Sequence, residues 1–196
     1  MIPDTTTTPA FIQIEPDWGK PVVVRSKWRN AVIANREGGE QRLNGQQAPK
    51  MSLSYFRSAH RPAQFALERG RQMSQLGKAV VLPVWTFYLS SASFATNSVT
   101  VSASITSLKY KVGSWIYVVQ GANKAFRKIT SVAGAVINLS AAGGDIFPVG
   151  FSWASFSGAG ARVYPCILGT RTGANSYSFR FQMPDRSSTQ IGVEEL

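Results

Sequence analysis

Alternation of apolar and polar residues is the dominant pattern of this chain. In the segment KMSLSYF, which begins at Lys50, every second residue is apolar and serines fill most of the positions between them. The same period of two runs through residues 176–183, SYSFRFQM. Both segments predict strands with one apolar face, and such a face needs a sheet or a helix to cover it.

One segment has the pattern of a helix instead. Between Pro62 and Leu76 apolar side chains recur on one helical face, Pro62 suits the first turn, and Gly77 suits the position after the last. Gly70, near the middle, weakens the helix by about 1 kcal/mol relative to alanine. We predict a helix over residues 62–76 that lies across a sheet.

Short strand candidates follow one another between residues 93 and 160. The segments SVTVSA, SWIYVV, KAFRKIT and AVINLS are separated by turns, several of which contain glycine or asparagine. This spacing predicts a small closed barrel or sandwich. Longer strands, RVYPCIL and SYSFRFQM, come afterwards. We therefore predict a mainly β fold, in which residues 1–92 and 161–196 form a discontinuous β-sandwich with one covering α-helix, and residues 93–160 form an inserted small β-barrel.

The composition is that of a globular protein with a basic surface. With 196 residues, 44% hydrophobic and 16% charged, the chain is neither disordered nor a coiled coil. Its net charge of +11 raises the expectation of an anionic partner. Residues 1–78 hold 12 Lys or Arg against 6 acids, and residues 79–196 hold 9 against 4, so the surplus is +6 and +5. This even division favours a generally basic surface over a dedicated nucleic-acid stripe.

The cysteine content and the apolar runs indicate the compartment. Cys166 is the single cysteine and has no partner for an intramolecular disulfide. The first residues lack the basic and apolar regions of a signal peptide, and the longest apolar run, AVVLPVW, is too short to span a bilayer. We expect a protein made in a reducing compartment, with no membrane insertion.

Residues for catalysis or metal binding are few. His60 is the single histidine and lies just before the predicted helix, without a recognisable nucleophile and acid. One histidine and one cysteine do not make a structural zinc site. Glu37 and Glu40 lie on one glycine-rich turn, which favours a solvated hairpin over a glycosidase pair. The sequence predicts a non-enzymatic protein without a cofactor or a metal.

One mixture of aromatic and basic residues leaves two interpretations open. The residues are Trp115, Tyr117, Phe126, Arg127 and Lys128. They are consistent with a nucleic-acid-binding β-barrel, in which aromatics stack on bases inside a cationic rim. The alternation favours a second interpretation, in which Trp115, Tyr117 and Val119 fill the barrel and the Lys and Arg side chains point outward.

The order of motifs along the chain carries a resemblance. The motifs are Trp18, Pro21, Trp28, Gly39-Glu40-Gln41-Arg42, Pro49-Lys50 with the strand MSLSY, and Leu82-Pro83-Val84-Trp85. This order resembles that of tail and baseplate proteins of long-tailed bacteriophages. The segment KVGSWIYVVQGANKAFRKITSVAGAVINLSAAGGDIFPVG also resembles a small phage β-barrel.

The resemblance implies a virion structural protein at the distal tail or baseplate. It implies a homo-oligomeric ring or adaptor, a hexamer first and a trimer second, which contacts other tail and baseplate proteins. Such a ring is assembled in the host cytoplasm and lies in the virion tail, with nucleic acid at most passing through it. The residues expected to serve assembly or structure are Trp18, Trp28, Gly39, Glu40, Gln41, Arg42 and Trp85. We expect the Glu-Gln-Arg segment to connect strands 28–34 and 50–56, with Glu40 and Arg42 placed to pair across strands or subunits.

Overall fold

The fold of the chain is mainly β. The computed structural model describes residues 9–12, 15–27, 30–34, 40–44, 50–59, 79–105, 110–140, 153–171, 180–183 and 186–195. These residues form fourteen strands and contain no α-helix. The predicted helix over residues 62–76 lies outside the described residues, as does His60.

The strands have the following bounds. They are β1 (Ala10–Phe11), β2 (Val23–Lys27), β3 (Asn30–Ala34), β4 (Glu40–Asn44), β5 (Lys50–Ala59), β6 (Val80–Pro83), β7 (Leu89–Ala95), β8 (Ser98–Val101), β9 (Trp115–Gln120), β10 (Asn123–Ala133), β11 (Val136–Leu139), β12 (Arg162–Arg171), β13 (Arg180–Met183) and β14 (Arg186–Glu195). One turn of 3-10 helix, Trp153–Ser155, precedes β12.

Twelve of the strands belong to one large sheet, and β12 is its central member. The first half of β12, Arg162–Pro165, pairs with β9, and its second half, Cys166–Gly169, pairs with β6. The change of partner falls at Pro165, which has no N–H to donate to a ladder. Beyond β12 the pairing continues through β14 and β5 to β2. A single strand therefore links two groups of strands.

In the second group the pairings return to their starting strand. β12 pairs with β7, β7 with β8, β8 with β11, β11 with β10, β10 with β9, and β9 again with β12. Two of the tight turns in this cycle begin at Gly121 and Gly134, with φ of 59° and 58°. Only glycine adopts these angles readily, so both turns depend on it. The cycle includes β7 and half of β12 and so extends past residues 93–160 at both ends.

Two apolar cores lie on either side of the shared strands. The first core contains Leu53 and Tyr55 of β5 and the whole of β6, which is buried on both faces. The second core lies within the strand cycle and contains Ile116 and Val118 of β9. Because β9 contributes alternate residues to both cores, it has two apolar faces.

Several sequence predictions agree with these strands. The alternating segment at Lys50 forms β5, and the four short segments lie in β8, β9, β10 and β11. The segment AVVLPVWTFYL begins with β6 and continues into β7. Of residues 176–183, the structure describes Arg180–Met183, which form β13. β14 was not predicted, although it pairs with β5 over eight positions, Ser187–Glu194. Its polar composition hid the alternation of Thr189, Ile191 and Val193.

Candidate functional site

The Glu-Gln-Arg segment is part of a two-stranded ribbon. The pairing of β2 with β5 ends where Lys27 lies opposite Lys50. The pairing of β3 with β4 follows, from Asn30 opposite Asn44 to Ala34 opposite Glu40. We call residues 28–49 the ribbon arm. Within the described part of the chain, β3 and β4 pair with each other and with no further strand. The segment lies between β3 and β5 as expected, but residues 40–44 within it form a strand of their own, which pairs back on β3.

The position of the predicted assembly residues within the ribbon arm is known in part. Glu40, Gln41 and Arg42 lie in β4, and Arg42 is the register partner of Val32. Trp28 and Gly39 lie outside the described residues. The segment therefore occupies the distal half of a β-ribbon that stands apart from the large sheet.

Trp18 is held in solvent by a well-ordered turn. The Asp17 N–H donates to the Phe56 carbonyl of β5 at 2.8 Å, and the Gly19 N–H donates to Asp17 Oδ1 at 3.1 Å. The Lys20 N–H closes the turn on the Asp17 carbonyl at 2.9 Å. Trp18 itself is 62% exposed. An exposed indole on a hydrogen-bonded turn is typical of a contact residue, because little backbone entropy remains to be lost on binding.

Trp85, in contrast, is a core residue. It is 3% exposed and packs edge-on against Tyr117, with ring centroids 5.7 Å apart, and against Tyr164 at 5.3 Å. Of the predicted assembly or structural residues, Trp85 thus serves the interior of the protein and not a surface.

An aromatic layer covers the outer face of β9, β10 and β12. The register places Phe126, Tyr117 and Tyr164 side by side on these three strands. Tyr117 and Phe126 are fully buried, and their ring centroids are 4.4 Å apart. The Tyr117 hydroxyl and Trp85 Nε1 have no hydrogen-bond partner among the described residues. The layer therefore joins the two cores by apolar packing, whereas the unpaired Tyr117 hydroxyl and Trp85 Nε1 cost stability.

Burial also raises the pKa of two tyrosine hydroxyls. Desolvation raises the pKa of Tyr110 and of Tyr117 well above the ordinary value of 10.0, and the charge of Glu15 adds to the effect on Tyr117. The Tyr110 hydroxyl donates to the Val163 carbonyl at 2.8 Å. Both phenols are therefore neutral in the folded protein at a pH where they would ionise in the unfolded chain.

We expect the free energy of unfolding to fall as the pH rises above 10.0. A group whose pKa is raised by folding contributes stability that is present below its unfolded pKa and is lost above it. Urea unfolding at pH values on both sides of 10.0 measures the slope. Tyr117→Phe should leave stability at neutral pH nearly unchanged and reduce the slope, whereas Tyr88→Phe, at an exposed tyrosine, serves as the control. Ionisation of Tyr117 near its ordinary pKa in the folded protein, seen by ultraviolet difference spectroscopy, would contradict this account.

Arg127 is buried within the second core and does not point outward as expected. It has no exposed surface. Its guanidinium donates to the Thr96 carbonyl at 3.1 Å, to Asn97 Oδ1 at 3.3 Å and to the Ser140 carbonyl. The guanidinium carbon lies 4.7 Å from the ring centroid of Trp153. Phe126 faces the first core, so its neighbour Arg127 lies on the opposite face of β10, which faces the second core. Carbonyl groups there accept the hydrogen bonds of its guanidinium.

The five residues of the alternative nucleic-acid surface do not form one surface. Tyr117, Phe126 and Arg127 are buried, Trp115 is half-buried against Phe11, and Lys128 is exposed. Buried rings cannot stack on bases. The opposing interpretation was also wrong in part, because the Tyr117 face of β9 packs on the first core and not inside the strand cycle. Alternation does not show which of two apolar faces meets which core.

Two surface residues that the sequence analysis did not single out lie together at the start of β12. The Arg162 guanidinium carbon is 5.4 Å from the ring centroid of Tyr88, and Tyr88 is 47% exposed. Tyr88 also contacts Tyr164, with centroids 5.6 Å apart. Alternation along RVYPCIL places Arg162 on the Tyr164 face, which was a usable signal. No sequence signal pointed to Tyr88, because the turn that follows β6 brings it to this place.

The described residues offer no metal site. They contain no group of three or more His, Cys, Asp or Glu side chains arranged to hold a metal ion. Cys166 is buried, and burial raises the pKa of its thiol, so this thiol is a poor nucleophile. No helix among the described residues is long and apolar enough to cross a membrane.

Comparison with known proteins gives no assignment. No protein-family model matches this chain. A search of curated proteins likewise gives no significant match. Inference about function therefore starts from the chain's own residues and from the motif resemblance described above.

Proposed function

We propose that this chain is a virion structural protein of a phage tail, which forms a homo-oligomeric ring or adaptor at the distal tail or baseplate. A hexamer is the first expectation and a trimer the second. The observation that supports the proposal most is the ribbon arm, whose strands β3 and β4 pair with no other strand among the described residues. The resemblance of its Gly-Glu-Gln-Arg motif to phage tail proteins supports the same conclusion.

A two-stranded ribbon favours assembly for an energetic reason. An isolated two-stranded hairpin is only marginally stable in water. The outer edges of β3 and β4 also present backbone N–H and C=O groups that a neighbouring chain can pair with. In a ring, the same arm of each copy meets the same surface of the next, so one contact type closes the assembly. A neighbouring copy would therefore stabilise the arm that the large sheet leaves unpaired.

The finer description of the fold belongs to the same proposal. The strand cycle around the second core supports a small barrel, and the first group of strands supports one layer of a sandwich. A helix over residues 62–76 would cover the apolar face of that layer. An experimental structure of the full chain tests both parts directly.

Two measurements test the proposed role. Light scattering of the purified chain gives its mass, and the expected result is a closed oligomer. Electron microscopy of particles with a labelled chain locates it, and the expected position is the distal end of the tail. A monomer at micromolar concentration that binds no other tail protein would contradict the proposal, as would particles that lack the chain at the tail end.

Trp18→Ala is expected to weaken assembly without destabilising the protomer. The side chain is largely exposed, so its loss should change the free energy of unfolding by less than about 0.5 kcal/mol. An aromatic contact residue typically contributes about 2 kcal/mol to an interface, so the association constant should fall by roughly 30-fold. Sedimentation velocity over a concentration series measures the association.

Tyr88→Ala is the matched control for Trp18→Ala, because it also removes an exposed aromatic ring. It should leave the association constant nearly unchanged. Equal loss of association in both variants would show that Trp18 has no special part in the interface.

A further inference from the structure

The strands around the second core include a large part of the chain without charged residues. The sequence has 21 Lys or Arg and 10 Asp or Glu, yet none of them lies between Ala79 and Leu108. From Ile129 to Ala161 the single charged residue is Asp145. β7, β8 and β11 lie within these two stretches and carry no charge. Depletion of charged residues is typical of the centre of a protein interface.

The strand register places small uncharged residues in two rows across four strands. β7 pairs with β8, β8 with β11 and β11 with β10, each time antiparallel. The first row across these strands is Ser93, Thr100, Val136 and Ala133. The second row is Ala95, Ser98, Asn138 and Ser131. We call these two rows the uncharged face.

The uncharged face points away from the second core and into solvent. The residues that alternate with it on the central strands, such as Val99 and Ile137, are buried in the second core. Its residues on β7 and β10 are exposed, and those on β8 and β11 are half-buried. Four strands with a spacing of about 4.8 Å make this face about 14 Å wide. It is therefore accessible and broad enough for both strands of a β-ribbon.

The net charge of the chain limits where two copies can meet. Each copy carries +11, so the copies repel one another, and like charges placed opposite each other in an interface are costly. The uncharged face brings no charge to such a contact. β3 of the ribbon arm, with the sequence NAVIA, is also uncharged, and among the described strands it pairs with β4 alone. The strand and the face are therefore suited to each other.

The composition of the uncharged face also argues against other classes of partner. Nucleic acid needs cations for its phosphates, and a membrane surface needs large apolar side chains. The two rows contain neither, since Val136 is their largest apolar residue. Small side chains let a second β layer approach closely, which favours a partner that is itself a flat ribbon.

We propose that the ribbon arm of a neighbouring copy packs on the uncharged face. This inference rests on the proposed function, because it needs a homo-oligomer, and it names the surface that receives the arm. Arm and face are different parts of the chain, so the contact is heterologous and closes into a ring if the rotation between copies permits. Every copy then gives one arm and receives one.

Photo-cross-linking identifies what touches the face. Full-length chain with benzoylphenylalanine in place of Ser93 is assembled with isotope-labelled wild-type chain, so that mass spectrometry separates contacts between copies from contacts within one copy. The expected product joins Ser93 of one copy to residues 28–49 of the labelled copy. Benzoylphenylalanine in place of Thr86, an exposed residue outside the face, is the control and should give no product with the arm.

A charge placed on the face tests its importance for assembly. Thr100→Arg should lower the association constant about 100-fold or more, because its guanidinium would be buried in the contact without a partner. Thr86→Arg is the matched control and should leave the association constant nearly unchanged. Ser93→Arg, at an exposed residue of the face, repeats the test if Thr100→Arg fails to fold. Sedimentation velocity measures association, and circular dichroism checks folding.

The outcomes distinguish this inference from the proposed function. A wild-type chain that stays monomeric would refute the proposed function and the inference together. An intact oligomer in which residue 93 cross-links to another region, or to nothing, would overturn the inference alone. Normal association of the folded arginine variants of the face would have the same consequence.

Discussion

Replacing Arg127 with alanine is expected to lower the free energy of unfolding by about 3–5 kcal/mol. Its buried guanidinium bonds the turn between β7 and β8 through Thr96 and Asn97, and the end of β11 through Ser140. Alanine removes the donor of all three hydrogen bonds and opens a void beside Trp153. The loss is large because one side chain connects three separate segments at one end of the second core.

Urea unfolding monitored by tryptophan fluorescence measures the effect of Arg127→Ala. Lys128→Ala, at the next residue, is the control, and its exposed side chain should change stability by less than about 0.5 kcal/mol. Arg127→Lys should recover only part of the loss, because an ammonium group cannot bond all these acceptors in the planar geometry of a guanidinium. A loss below about 1 kcal/mol in Arg127→Ala would show that the carbonyl groups find other donors.

Removal of the ribbon arm is expected to abolish assembly while the protomer still folds. Lys27 and Lys50 are register partners at the base of the arm, so residues 28–49 can be replaced by a two-residue Asn-Gly turn that joins β2 to β5 as a hairpin. In the part of the chain that the structure describes, neither β3 nor β4 pairs with the large sheet, so the described ladders of that sheet remain complete. Light scattering should give the mass of a monomer, and the unfolding midpoint should be close to that of the full chain.

A finer variant separates the motif from the arm as a whole. Arg42→Ala, in β4, should impair assembly more than it impairs folding of the protomer. Arg25→Ala, in β2 of the large sheet, is the control and should leave assembly intact. Equal loss of assembly and of folding in Arg42→Ala would show that the motif is an internal brace. An oligomer that persists without the arm would refute the role proposed for it.

The predictable part of the fold is the part that short-range patterns encode. The alternating pattern that begins at Lys50 predicted β5, and the spaced apolar segments predicted β8 to β11. Such patterns are informative because successive side chains of a strand point to opposite faces. β14 was not predicted, because its Ser, Thr, Gln and Glu residues are typical of a loop. Its strand form comes from pairing with β5 over eight positions, which is a long-range contact.

The candidate sites show the same division more sharply. Trp18 lies in a Pro-Asp-Trp-Gly turn that is closed by hydrogen bonds between residues two and three positions apart, so this turn is encoded locally. Alternation of apolar and polar residues assigned Arg127 to the surface, where arginine is usually found. Carbonyl groups from residues 13 to 31 positions away in the sequence make its burial possible, and no local pattern reveals them.

The sequence by itself determined that this chain is mainly β, where most of its strands lie and which turns need glycine. Those properties follow from side-chain periodicity and backbone sterics, which act within a few residues. The tertiary structure decided that β12 is shared between two strand groups, that β9 has two apolar faces, that Arg127 is internal and that β3 and β4, among the described strands, pair with each other alone. Each of these features depends on which strands, distant in sequence, become neighbours. The burial of apolar faces throughout the chain determines that pairing.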